Sequence, residues 1–159
     1  MDLNKKKICI FCMGNYGLKT YFFLADRGIS IECFGDSSQV KIGKAFRDVP
    51  CISYDDCMNL SISEYVIIVC NKMPFDLLQK FKGAGFEAYD CKYVWERCKD
   101  MPMFLSVKIW NSPRELKKLH EAVRNFYKDG VIEGNNSSYG ETLLKDLILL
   151  GVNNECTRS

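Results

Sequence analysis

Two glycines near the N-terminus have the spacing that could bind a phosphorylated ligand. They occupy the turn Cys12–Gly17, which follows an apolar stretch and opens an amphipathic segment. In a dinucleotide-binding turn, one such glycine lets the backbone approach a pyrophosphate, and the next lets the helix pack closely on the strand. Amide groups at the start of the following helix attract anions. The predicted phosphate site therefore comprises Gly14, Asn15, Tyr16 and Gly17, and the alternative is a turn that serves packing alone.

An acid and two polar residues extend this predicted site. Asp36 lies 22 positions after Gly14, where an acid could accept a hydrogen bond from a ribose hydroxyl. It could instead start a turn or cap a short helix over residues 40–46, and the sequence leaves these roles open. Ser37 and Asn71 each follow a predicted strand, and open α/β sheets bind ligands at the carboxyl ends of their strands. They are secondary binding candidates.

The elements that must position these residues alternate between strands and helices. Apolar runs predict strands at Lys7–Phe11, Ile29–Phe34, Val49–Ser53, Tyr65–Cys70 and Phe86–Asp90. Helical patterns lie between them, at about residues 18–25, 40–46, 55–60 and 75–82. Alternation at this spacing predicts right-handed crossovers and an α/β fold, a Rossmann-like parallel sheet flanked by helices.

The pattern changes after about residue 100, which predicts a Rossmann-like domain over residues 1–100 and an appendage over residues 101–159. The appendage is expected to contain a strand at 103–110 and two helices, at about 112–129 and 139–150. The last helix is strongly apolar on one side. It either docks on the sheet or contributes to a homodimer formed through residues 103–150.

Composition argues against several classes of protein. A net charge of +2 without a basic stripe argues against nucleic-acid binding. No apolar stretch approaches the roughly 20 residues of a membrane span, and polar residues interrupt any signal-like segment, so a cytoplasmic protein is expected. Nine cysteines without a secretion signal predict reduced thiols rather than disulfides. No second pair of ligands at zinc spacing is present, and no metal is expected.

No constellation of residues predicts a particular reaction. Asp55 and Asp56 are adjacent, so their side chains would diverge, and His120 is the only histidine. Cys9 and Cys12 form a C-x-x-C along a strand that enters a turn, which is unlike a redox motif at a helix start. The catalytic residues are therefore unknown, and the sequence does not decide whether the protein is an enzyme.

The N-terminal part resembles the Rossmann-like nucleotide-binding domains of bacterial surface-sugar enzymes. The nearest types are the N-terminal domain of sugar O- and N-acyltransferases of the left-handed β-helix kind, and the nucleotide-binding part of nucleoside-diphosphate-sugar epimerase/dehydratase proteins. These families share a glycine turn, a strand ending in acids, a short helix closed by glycine and a small strand beginning with proline. The matching residues, spread over roughly the first 90, are Gly14, Gly17, Asp36, Gly43 and Pro50.

The resemblance implies a small-molecule ligand, either NAD(P) or a nucleotide-sugar, and a role in surface polysaccharide biosynthesis. Two positions depart from the family layout, since Cys12 replaces the first glycine and Gly35 replaces the first acid of a pair. The hexapeptide repeats and the Tyr-x-x-x-Lys pair of these enzymes are absent. Three hypotheses follow: a nucleotide-binding module, a small enzyme that modifies a nucleotide-sugar, and a non-catalytic scaffold or dimerisation domain that no longer binds a nucleotide.

Overall fold

A computed structural model describes residues 1–101 and six single positions of the C-terminal part. Those six positions are helical and exposed, and they fall within the helix predicted at residues 112–129: Arg114, Lys117, Glu121, Arg124, Asn125 and Lys128. The rest of that helix, the predicted strand at 103–110, the helix at 139–150 and the predicted homodimer surface lie outside the described residues. His120 lies outside them as well.

The described part of the chain is a six-stranded sheet with helices on both faces, which confirms the predicted α/β fold. The strands are β1 (Lys7–Phe11), β2 (Cys33–Asp36), β3 (Ala45–Phe46), β4 (Val49–Ser53), β5 (Tyr65–Val69) and β6 (Glu87–Asp90). The helices are α1 (Asn15–Asp26), α2 (Tyr54–Met58), α3 (Phe75–Gly83) and α4 (Cys91–Cys98). The strand order is β3-β4-β2-β1-β5-β6, and only the β3–β4 pair is antiparallel.

The central strand β1 divides the sheet into two halves. The chain builds β2 and β4 on one side of β1, then crosses over to place β5 and β6 on the other side. Cys9 is paired with Cys33 on one side and with Ile67 on the other. In open α/β sheets, ligands bind outside the carboxyl ends of the strands where the order reverses in this way. The turn after β1 and the loop after β5 both lie at that point.

Alternate residues of β1 support two separate core layers. Ile8 and Ile10 belong to the cluster that includes the buried residues of α1 and α4, such as Leu18 and Val94. Cys9 and Phe11 belong to the cluster on the opposite face, with residues of α2 and α3. These four residues of β1 are at most 1% exposed, and only Lys7, the first residue of the strand, is exposed. This continuous burial matches the unbroken apolar run in the sequence, as is usual for a central parallel strand.

The helix predicted at residues 40–46 is wrong. The backbone makes a single turn there, in which the amides of Lys41 and Ile42 donate to the Ser38 carbonyl, and then continues into β3. Gly43 has a φ of +86°, which ends helical geometry, and its amide donates to Cys51 of β4. Pairing with β4 therefore replaces the helical hydrogen bonds.

Two further differences concern the start of the second strand and a helix that the sequence did not predict. The second strand begins at Cys33 rather than Ile29, because Ile29 still donates its amide to Leu24 at the end of α1. Helix α4 is absent from the predicted elements. Its N-cap is Asp90, whose carboxylate accepts a hydrogen bond from the Lys92 amide, and it buries residues at helical spacing: Cys91, Val94 and Cys98.

Candidate functional site at the carboxyl ends of the strands

The turn between β1 and α1 begins with a cysteine in a backbone conformation typical of glycine. Cys12 has a φ of +78°, and its amide donates to the Gly35 carbonyl at 2.7 Å. A non-glycine residue with a left-handed backbone costs of order 1 kcal/mol, and such residues cluster at functional sites. The side chain packs against the core cluster on the α2 and α3 face. Cys12 thus takes the backbone role of the first glycine.

Gly17 and Gly14 differ in what a side chain would meet. A Cβ added to Gly17 would collide with the carbonyl oxygen of Cys12, so the close approach of α1 to the turn requires glycine there. Gly14, the N-cap of α1, has extended backbone angles that any residue can adopt. A Cβ at Gly14 would meet only the Nζ atom of Lys41, at 3.8 Å. Packing requires Gly17, whereas the absence of a side chain at Gly14 leaves space beside a lysine.

Gly35, which replaces the first acid expected from the resemblance, is also required by packing. A Cβ there would collide with the Cys57 sulfur and would lie 2.7 Å from the ring of Phe11. Helix α2 therefore contacts the sheet directly at β2. No larger residue fits at this position without displacing α2.

Asp36 binds the turn itself. It is 8% exposed, and its Oδ2 atom accepts a hydrogen bond from the Met13 amide at 2.8 Å. Its Oδ1 atom accepts one from the Ser38 amide at 2.9 Å. The Lys41 ammonium lies 3.6 Å from Oδ2, and both side chains of this ion pair are largely buried. Asp36 is therefore a cross-link between the β1–α1 turn and the loop after β2.

Lys41 is the site residue that sequence reasoning missed. The loop over residues 38–44 brings its Nζ atom next to Gly14, although the two residues are 27 positions apart. This approach depends on the single turn at Ser38 and on the left-handed Gly43, which together replace the predicted helix. The only available signal was the combination of Lys41 and Gly43 shortly after the acid.

The other predicted residues lie at the same end of the sheet. Asn71 follows β5, where the Cys70 amide donates to Phe11 at 2.9 Å, and its own Oδ1 accepts a hydrogen bond from Met73. Tyr16 stacks on Trp95 of α4, with ring centroids 6.1 Å apart. Asn15 is half-buried in the first turn of α1, and Ser37 is exposed after β2. The structure brings Gly14, Asp36 and Lys41 into one cluster, and places Asn71 at the neighbouring strand end.

No side chain caps the N-terminus of α1 or of α3, in contrast to α2 and α4. Gly14 is the N-cap residue and makes no side-chain hydrogen bond, whereas Ser53 and Asp90 cap the other two helices. The first-turn amides of a helix without a side-chain cap favour a negatively charged group. With Lys41 beside it, the start of α1 combines amide donors and an ammonium group.

The Cys12 thiol has a pKa of about 12, raised from an ordinary value of 9.0. Burial is the main cause, the Asp36 carboxylate adds to it, and Lys41 partly offsets it. Because the pKa is raised, the reactive thiolate is scarce at neutral pH. Cys12 is therefore a poor nucleophile in the folded protein.

We expect this shift to appear in the pH dependence of alkylation by iodoacetamide. In a variant in which Cys156, which lies outside the described residues, is replaced by serine, the reaction of Cys12 should accelerate about tenfold per pH unit from pH 7 to pH 10. Free cysteine instead levels off near its own pKa. Mass spectrometry of the labelled protein measures the rate. The Cys12→Ser variant measures the labelling of the other cysteines. A Cys12 labelling rate that levels off below pH 9 would contradict the raised pKa.

A cavity of about 460 Å³ lies elsewhere on the molecule. Its lining comes from the N-terminal segment, one residue after α1, and α4 with the residues that follow it: Met1, Asp2, Leu3, Asn4, Ile29, Tyr93, Arg97, Cys98 and Met101. None of these belongs to the cluster around Gly14. We place the candidate site at the turn because the reversal of strand order, a helix start without a side-chain cap and the Lys41 ammonium coincide there.

The fold and this turn define a Rossmann-like α/β domain. Comparisons of the chain with protein-family models, curated proteins and solved structures gave no significant match.

Eight cysteines of the described residues are free thiols. Within residues 1–101 and the six C-terminal positions, no three His, Cys, Asp or Glu side chains are grouped to hold a metal ion. None of the helices described for this chain is long and apolar enough to cross a bilayer.

Proposed function

We propose that the protein binds a nucleotide, a nucleotide-sugar or a dinucleotide at the β1–α1 turn. The observation that carries this proposal is the space at Gly14, bounded by the start of α1 and the Lys41 ammonium. The turn sits where the strand order reverses, which is the usual ligand position in such sheets. A role in bacterial surface polysaccharide biosynthesis is proposed from the sequence resemblance alone.

The physical case rests on the contrast between the two glycines. Gly17 is explained by packing, but neither backbone strain nor a steric clash explains Gly14. The N-cap position favours glycine over alanine, but Ser, Asn or Asp would serve there better. A group that must come close to the backbone accounts for glycine in particular. A phosphate placed there would accept hydrogen bonds from helix amides and gain the charge of Lys41.

The ion pair with Asp36 does not prevent Lys41 from binding a ligand. An ammonium group has three donors, and the Asp36 oxygen at 3.6 Å is beyond ordinary hydrogen-bond distance. Lys41 could therefore donate to a phosphate without leaving Asp36. Its side chain is 13% exposed, so the charge is only partly screened by water.

A second candidate function is a scaffold that has lost nucleotide binding. The Lys41–Asp36 pair favours it, because a lysine that neutralises an acid beside the turn occupies part of the space a phosphate would use. The two candidates differ in one measurable respect. Only the first predicts that a phosphorylated ligand stabilises the protein.

The binding experiment measures thermal shifts and calorimetric affinities for NAD(H), NADP(H) and UDP-sugars. We expect at least one of these ligands to bind, Gly14→Val to abolish binding, and Lys41→Gln to weaken it about tenfold. Lys44→Gln is the matched control, because Lys44 is an exposed lysine of the same loop. It should bind with nearly the affinity of the unchanged protein.

Two outcomes would contradict nucleotide binding at this turn. The first is the absence of any shift with every ligand tested. The second is binding that survives Gly14→Val in a variant that melts at the normal temperature, since the ligand would then lie elsewhere. The first result would favour the scaffold.

A further inference from the structure

The Asp36 carboxylate is turned toward groups of the protein itself. The Met13 amide donates to Oδ2 and the Ser38 amide donates to Oδ1, while the Lys41 ammonium forms an ion pair with Oδ2 at 3.6 Å. An ionised carboxylate offers about four acceptor positions, so two hydrogen bonds leave about two positions. Only 8% of the residue is exposed, so burial limits the access of a ligand to those positions.

The three partners of Asp36 belong to two separate segments. Met13 lies in the β1–α1 turn, whereas Ser38 and Lys41 lie in the loop between β2 and β3. Asp36 itself is fixed at the end of β2, paired with Ser53 of β4. The carboxylate therefore sets the position of the turn relative to Lys41, and so the geometry of the space beside Gly14.

We infer, on the basis of the proposed function, that Asp36 is a positioning residue and that Lys41 is the residue that contacts the ligand. The site then recognises the phosphate groups of its ligand and does not read the ribose hydroxyls. We therefore expect the site to bind phosphorylated nucleotides equally well with and without a 2′-hydroxyl on the ribose. This differs from the role that the spacing of Asp36 suggests, in which the acid binds the ribose.

The decisive experiment compares ADP and UDP with their 2′-deoxy forms by calorimetry on the full chain. We expect each pair to bind with affinities that agree within about twofold. Lys41→Gln should weaken both members of a pair by about the same factor, roughly tenfold. This comparison on the unchanged protein needs no variant, so it does not depend on the folding of an altered turn.

Coupling between the two residues tests the positioning role separately. In an Asp36→Asn background, the effect of Lys41→Gln should shrink to about twofold or less, because the lysine is no longer held beside Gly14. A purely structural Asp36 would leave the Lys41→Gln effect unchanged in a folded Asp36→Asn protein. Equal Lys41→Gln effects in the two backgrounds would therefore overturn the positioning role.

The outcomes separate this inference from the proposed function. Binding of ADP or UDP that is at least about fivefold tighter than that of the deoxy form, with the preference lost in Asp36→Asn, would overturn the inference and leave the proposed function standing. No binding by any of the four compounds, together with none by the dinucleotides and UDP-sugars, would overturn the proposed function and the inference with it.

Discussion

The Gly17→Ala substitution is expected to lower the free energy of unfolding by about 3 kcal/mol or more. The added methyl group would collide with the carbonyl oxygen of Cys12 and lie 3.2 Å from its carbonyl carbon. These are backbone atoms, and the turn is fixed by the Cys12 bond to Gly35 and the Met13 bond to Asp36. The Cys12 carbonyl group cannot move aside without breaking one of these hydrogen bonds. Urea denaturation followed by circular dichroism measures the loss.

Gly14→Ala is the matched control for this substitution. Its methyl group would meet only the Lys41 ammonium, at 3.8 Å, and its backbone angles suit any residue. We expect a change of less than about 1 kcal/mol, set by the weaker N-cap preference of alanine. Similar losses for the two substitutions would mean that Gly17 is not held against Cys12 as described.

The second large effect is expected from Arg27→Ala, with a loss of about 3 kcal/mol in the free energy of unfolding. Arg27 follows α1 and is 5% exposed. Its guanidinium donates to the carbonyl groups of Phe23, Cys98 and Lys99, and lies 3.6 Å from the centre of the Phe23 ring. Alanine would leave these carbonyl groups at the ends of α1 and α4 without that donor. Burial lowers the pKa of Arg27.

Arg97→Ala is the control for Arg27→Ala. Arg97 is an exposed arginine of α4 whose guanidinium lies 5.1 Å from the centre of the Tyr93 ring. An exposed contact of this kind contributes at most about 1 kcal/mol. Chemical denaturation of both variants compares them directly. If Arg27→Ala proved no more destabilising than Arg97→Ala, the buried guanidinium would not be what holds α4 to α1.

Local sequence was sufficient to predict β1 and β5, whose residues after the first are buried on both faces. The bounds of β1 agree with the predicted segment and those of β5 differ by one residue, and the partly buried β4 also has its predicted bounds. Such strands are continuous apolar runs bounded by turn residues, so their signal is strong. The prediction of a helix at residues 40–46 was wrong because the conformation of this segment depends on pairing with β4, which a local sequence pattern does not contain.

The candidate site was predictable only in part, for the same reason. The spacing of Gly14 and Gly17 located the turn, and the packing role expected of the later glycine is the one that Gly17 has. The position of Lys41 was not predictable, because it depends on how the loop after β2 folds back. Neither was the left-handed backbone of Cys12, since cysteine rarely adopts that conformation.

The central position of β1 has a consequence for how the chain folds during synthesis. β1 leaves the ribosome well before its partner β5, which begins only at Tyr65. Until then, β1, β2 and β4 can assemble with α1 while one long edge of β1 stays unpaired. An apolar strand edge that is open during synthesis invites pairing with another chain. During the interval before β5 emerges, the nascent chain is therefore exposed to aggregation through this edge.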